Sequence, residues 1–162
     1  MKQTKLNEFS LNYLAELRSW FNEQTELDKW AGPNFRFPHT AQSFAQDLNT
    51  ETLASYCLVN ENDELLAFGQ YYQRLTCCHL GRLVVNPKYR GKGLASTLIK
   101  ALAKKGMQQL KLSSLSLFVL ADNLTALNAY KKIGFIEQDY PEPLPLENCL
   151  YMVLPMPTWL NS

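Results

Sequence analysis

The stretch 77–120 leaves the chain little choice of architecture. An apolar run at 77–86 leads into Asn86-Pro-Lys-Tyr-Arg-Gly-Lys-Gly93. A helical pattern follows at once, with Leu94, Leu98, Ala101 and Leu102 on one side and Gly106 as the expected stop. An alternating segment follows at 112–120, with Leu115, Leu117 and Val119 on one face and Ser114 and Ser116 on the other. Strand, helix and strand in that order form a crossover unit, and two strands joined in this way lie parallel.

The flanking sequence adds antiparallel neighbours. Residues 53–60 and 64–74 read as strands around the turn Asn60-Glu-Asn-Asp63, and 77–86 continues the meander. Residues 2–7 suit a short first strand. Leu11, Leu14, Leu17 and Phe21 recur at helical spacing behind Ser10 as N-cap. Trp30-Ala-Gly-Pro-Asn-Phe-Arg-Phe-Pro38 interrupts that pattern, and Thr40 then caps a short helix through Leu48. Near the end, Asp122 or Asn123 opens a helix with Ala126, Tyr130 and Ile133 on one side and Gly134 as its stop. Strands at 134–140 and 149–154 close the chain around a proline-punctuated loop. The fold class is therefore α/β with a mixed, mostly antiparallel sheet, and 162 residues suit one domain spanning 1–162.

Composition narrows the partners. A net charge of +1 speaks against bulk binding to nucleic acid or to an anionic membrane. No apolar run approaches the roughly 18 residues of a membrane span. The N-terminal MKQTKLNEFS lacks the apolar core of a signal peptide, so a cytoplasmic protein is expected. Cys57, Cys77, Cys78 and Cys149 have no metal-ligand spacing, so reduced thiols and no metal are expected.

The turn between strand and helix carries the first functional signal. A helix N-terminus leaves backbone N–H groups unpaired and adds partial positive charge, which suits phosphate. Glycine lets an oxyanion approach the backbone, and Arg90 and Lys92 add cationic contacts. A solvated turn that only caps a helix has the same local pattern. The G-x-x-x-x-G-K-[ST] of a P-loop is absent, as is the third glycine of a dinucleotide fingerprint.

A second motif stands downstream: Asn123-Leu-Thr-Ala126-Leu-Asn-Ala-Tyr130-Lys-Lys-Ile-Gly134-Phe135. Arg90, Gly93 and Ala95 match the phosphate loop Q/R-x-x-G-x-G/A, and Asn123, Ala126, Tyr130, Gly134 and Phe135 match the later motif. Together they resemble the GNAT superfamily of N-acetyltransferases. That resemblance implies a sheet with a splayed parallel strand pair, helices on both faces, and acetyl-CoA as co-substrate. It implies that the backbone of Leu83, Val84 and Val85 pairs with the pantetheine arm, and that Val85 N–H polarises the thioester. It further implies that the pyrophosphate sits on the amides of Gly91, Lys92, Gly93, Leu94, Ala95 and Ser96 beside Arg90. Asn123 then lies near the pantetheine, and Tyr130 is the general acid for the leaving thiolate.

The base and the acceptor are less defined. Some relatives carry a Glu five residues before the motif Asn, where this chain has Phe118. His79 lies six residues before Val85, on the same face of a regular strand, where other relatives place a base. A strand histidine with no task, or a water path, are the alternatives. Trp30, Phe35 and Phe37 are candidates for an apolar acceptor slot and Arg36 for a carboxylate contact; the same aromatics also suit a core cap. Tyr71 and Tyr72 fall on opposite faces of their strand, and Tyr71 is assigned to the cleft. The expected activity is acetyl transfer to a primary amine of a small molecule or peptide, by a monomer or homodimer. A non-catalytic acyl-CoA-binding regulator on the same fold is the other class.

Overall fold

The computed structural model describes residues 3–161; the expected first strand began at Lys2, which lies outside them. Seven strands form one sheet in the order β1-β2-β3-β4-β5-β7-β6. They are β1 (Thr4–Glu8), β2 (Ala54–Asn60), β3 (Leu65–Arg74), β4 (Cys77–Val85), β5 (Ser114–Leu120), β6 (Ile136–Gln138) and β7 (Cys149–Pro155). Every neighbouring pair is antiparallel except β4 and β5, which the crossover requirement makes parallel.

The crossover helix is α4 (Leu94–Leu110) and the later one α5 (Leu124–Ile133). Both pack on one face, where Leu80, Ile99, Leu102, Leu117, Phe135 and Met152 share a core. The opposite face is covered by α1 (Leu14–Ser19), α2 (Gln24–Ala31) and α3 (Ala41–Leu48) over Leu17, Leu27, Phe44, Leu48 and Phe68. The expected N-caps are present. Ser10 Oγ accepts from Asn12 N–H, and Thr40 forms a capping box with Ser43. Asn123 Oδ1 accepts from Ala126 N–H at 3.3 Å.

Three local expectations are corrected. The helix begun at Leu11 is not continuous: a 3₁₀ turn, Leu11–Tyr13, precedes α1, and a break at Trp20 and Phe21 precedes α2. Tertiary contacts hold that break. Trp20 Nε1 donates to Glu16 Oε2 at 2.7 Å, and Phe21 stacks on Trp30 at 4.2 Å. The Leu27/Trp30/Ala31 spacing was the sequence signal for α2. Second, α4 runs through Gly106 and ends at Lys111, whose φ is 57°. Gly106 serves close packing instead, since a Cβ there meets Cys78 Sγ at 2.7 Å.

The third correction concerns β4. Its register against β3 passes from Gly81↔Gln70 to Val84↔Phe68, so Arg82 and Leu83 together oppose Gly69. This is a β-bulge, with Arg82 at φ 49°. One extra residue reverses the alternation. His79 lies against the Tyr72 ring, 5.2 Å between centroids, on the α1–α3 face, whereas Val85 packs with Leu94 and Leu98 beneath α4. His79 and Val85 therefore face opposite ways.

Candidate active site

The parallel pairing of β4 and β5 covers Cys78↔Leu115, His79↔Ser116 and Leu80↔Leu117 and then stops. Beyond it each strand keeps its other partner, β4 with β3 and β5 with β7. The strands diverge, and a cleft of about 1280 Å³ opens between them. Asn86 N–H donates to Leu66 carbonyl on β3 at 2.8 Å. One residue earlier, Val85 N–H therefore points away from β3, toward the splay.

The glycine turn forms one wall. Its root is held by Asn86, which is buried and donates Nδ2–H to Leu65 carbonyl at 2.9 Å, and by Tyr89, which donates to Glu64 Oε2 at 2.5 Å. Gly91 (φ 80°) and Gly93 (φ 77°) take left-handed conformations. A Cβ at either would have no atom within 4 Å, so the backbone there is open to an approaching group. No side chain caps α4 at Gly93, and its first turn carries no acidic residue. Arg90, Gly91, Gly93, Leu94, Ala95 and Ser96 all line the cleft, as do Leu83, Val84 and Val85. Lys92 does not; it is exposed, its Nζ 5.7 Å from the Tyr89 ring.

Helix α5 supplies the facing wall with Asn123 and Tyr130. The Tyr130 ring packs against Phe135 at 6.2 Å, and burial pushes its phenol up to about 12.

His79 is only 2% exposed, with Nδ1 2.8 Å from Ser116 Oγ and its ring 4.7 Å from Phe118. Burial, with the nearby Arg74 charge, pushes its imidazole down to about 3. Such a group is a poor acceptor for the proton of an ammonium, and this argues against His79 as the base. As pH falls from about 6.5 toward 3, the unfolded chain binds a proton there that the folded chain refuses. Stability therefore falls across that window and is unaffected above it. His79→Gln is expected to remove about 2–3 kcal/mol of the stability lost between pH 7.5 and 4.5. Urea unfolding at both pH values checks this; equal losses in the two proteins would show an ordinary imidazole.

The residues expected to meet the acceptor differ most from expectation. Trp30 lines the cleft, with its buried Nε1 unpartnered, but Phe35 is 4% exposed and lies beneath the Arg82 guanidinium at 5.0 Å. Arg36 turns away and binds Asp47 at 2.9 Å, holding that carboxyl below its usual range. Tyr71 faces α4, stacks on Tyr56 at 5.8 Å and hydrogen-bonds Gln109. The cleft tyrosine is Tyr72. Gln70, Arg74 and Arg82 also line this side. Gln70 and Arg74 were findable from strand alternation once Tyr72 was placed; Arg82 was not, because the bulge turns it inward.

The cleft thus lies where β4 leaves β5, with a glycine turn on one wall and an Asn/Tyr helix on the other. Residues 14–135 match the family model described as the acetyltransferase (GNAT) family, and the chain belongs to that family. It is similar to spermidine N(1)-acetyltransferase of Escherichia coli (strain K12), 37% identical over 54 residues, which cover 33% of this chain and 29% of that relative. It is also similar to a putative [ribosomal protein bS18]-alanine N-acetyltransferase of Bacillus subtilis (strain 168), 27% identical over 101 residues, covering 62% of this chain and 66% of that one. The chain thus aligns with less than a third of the first relative's length and about two thirds of the second's. Among solved structures, spermidine N-acetyltransferase from Vibrio cholerae in complex with CoA and spermine superposes with a TM-score of 0.74 at 17% identity. That match covers 98% of this chain and 99% of the other, and shows the shared fold. Among the described residues no helix is long and apolar enough to cross a membrane, and no group of three His, Cys, Asp or Glu is placed to hold a metal ion.

Proposed function

We propose that this protein is an acetyl-CoA-dependent N-acetyltransferase that modifies a primary amine of a small molecule or peptide. The observation that carries the reading is the splay of β4 from β5, which frees strand backbone beside a helix N-terminus. Open space at Gly91 and Gly93 fits a pyrophosphate, with the amides of Gly91 to Ser96 as donors and Arg90 beside them. The free edge of Leu83, Val84 and Val85 fits the amides of a pantetheine arm, with Asn123 across the cleft.

Bound acetyl-CoA supplies a thioester, whose C–S bond breaks as the amine nitrogen forms its bond to the acyl carbon. Val85 N–H, aimed into the splay, stabilises charge developing on the acyl oxygen. Tyr130 holds a proton for the leaving sulfur. The proton lost by the amine passes to solvent through the open cleft, because His79 is too weak a base to hold it.

Thiol release from acetyl-CoA across polyamines, amino acids, aminoglycosides and peptides tests the reading. At least one amine is expected to give stoichiometric thiol and acetylated product. Gly93→Val puts a branched side chain into the open turn, and acetyl-CoA affinity should fall about tenfold, or roughly 1.4 kcal/mol. The left-handed φ at Gly93 adds about 1–2 kcal/mol of strain to the fold, so calorimetric titration belongs well below the variant's melting point. Tight acetyl-CoA binding without thiol release from any amine would instead identify an acyl-CoA-binding regulator.

A further inference from the structure

We infer that the amine acceptor carries a carboxylate, recognised by Arg74 and Arg82 on the two flanks of Tyr72, and that polyamines are not the substrates. This rests on the N-acetyltransferase reading above and deepens it. The relatives do not choose the acceptor, since one acts on spermidine by its name and another on a protein alanine. The cleft's own charges do.

Arg74 lies between the Tyr72 ring at 5.3 Å and the Phe118 ring at 5.0 Å. It donates to the hydroxyls of Tyr140 at 2.9 Å and Tyr72 at 2.8 Å, and its Nε–H is buried without a partner. Arg82 donates to Gln70 Oε1 at 2.9 Å and Leu48 carbonyl at 3.4 Å, over the face of Phe35. All these partners are neutral. A guanidinium stays protonated in proteins, so each is a full positive charge in a half-buried place with no carboxylate against it among the described residues.

The surrounding groups do not cancel that charge. Asp47, the acid nearest in effect to Arg82, is committed to Arg36. His79 is neutral, and Tyr72 and Tyr140 are phenols. Glu26 is the one acidic residue among those lining the cleft, and Lys29 stands three residues away on the same helix and also lines it. A polyamine would bring two or more further cations into this wall, and like charges brought together strongly disfavour a partner. A carboxylate answers the guanidinium fork with two oxygens in one plane. It would also leave the acceptor's amine free to reach the splay beyond Arg82.

The test uses matched acceptors that differ only in the acid: 4-aminobutyrate against propylamine, and β-alanine against ethylamine, with spermidine and phosphoethanolamine alongside. Thiol release should favour each carboxylated member at least tenfold in kcat/KM, and spermidine should react no better than the plain amines. Arg74→Gln should bring that ratio toward one, chiefly through a higher KM for the carboxylated member. Arg82→Gln is the second variant, with far-ultraviolet circular dichroism to check its fold. Preference for spermidine, for phosphoethanolamine or for neither member of a pair overturns the carboxylate assignment and leaves the N-acetyltransferase standing. Silence from these amines and from the wider panel above overturns both. A wild-type preference that survives in both variants removes the arginines from the assignment.

Discussion

Tyr130→Phe is expected to lower turnover about 10²-fold or more at saturating substrates, equivalent to roughly 2.7 kcal/mol of transition-state stabilisation. The variant keeps the ring and its packing against Phe135, so acetyl-CoA affinity should hold within about twofold. Only the O–H is lost. A phenol at about 12 is at first sight a weak donor to a thiolate, whose ordinary pKa is about 8.5. The buried thiols of this chain weaken the objection. Cys57 and Cys78 are themselves pushed up to about 12 by burial. A leaving sulfur held against the buried phenol gains proton affinity for the same reason, which narrows the gap between donor and acceptor. The high value also keeps Tyr130 protonated across the working range. The acid form is lost only as pH rises through about 12, so the wild-type rate should show no alkaline fall from this group below about pH 11. Rapid thiol-release kinetics from pH 6 to 10 with the true acceptor check both points. An undiminished rate in the variant, or a wild-type fall near pH 8, would remove Tyr130 as the acid.

The wall of the cleft proposed for acetyl-CoA was legible in the sequence because backbone geometry writes it. A strand, two left-handed glycines and a helix start are local features, and Gly93, Asn123 and Tyr130 reach the cleft where the motif spacing put them. The side proposed for the acceptor depends on which way single side chains turn after distant segments meet. Arg36 was placed in the site for its charge, yet Asp47, eleven residues on, takes it away. Phe35 was placed there for its ring and became the floor under Arg82. The expectation that His79, which lines the cleft, shares a face with Val85 failed for a subtler reason. The apolar run of β4 continues smoothly through Leu83, Val84 and Val85, so nothing in its pattern marks the extra residue at Arg82. Counting by twos across a bulge inverts every face beyond it.

Gly106→Val is expected to cost about 3 kcal/mol or more of folding stability. Two effects oppose each other at this position. A glycine inside a helix is worth about 1 kcal/mol less than alanine, so substitution by alanine gains on propensity alone. Against this, a Cβ at Gly106 would stand 2.7 Å from Cys78 Sγ and 2.9 Å from the Tyr71 ring. Neither neighbour is free to withdraw. Cys78 is fully buried in β4, and Tyr71 is held between the Tyr56 stack and its hydrogen bond to Gln109, one turn from Gly106 on the same helix. Overpacking of this kind costs about 1–3 kcal/mol for a methyl-sized intrusion, so Gly106→Ala should come out near neutral or mildly destabilising. Valine adds two more carbons and loses the propensity gain through β-branching. The strain has one outlet, which is to lift the second half of α4 from the sheet. Because the same rigid helix presents Leu94, Ala95 and Ser96 to the cleft, acetyl-CoA affinity should fall along with stability. Cys78→Ala removes the atom met first, and the pair Gly106→Ala with Cys78→Ala should be more stable than the sum of the single changes by about 0.5–1 kcal/mol. Urea unfolding of the four proteins completes the cycle. Strict additivity, or a Gly106→Val protein as stable as wild type, would mean that α4 does not rest on β4 through this glycine.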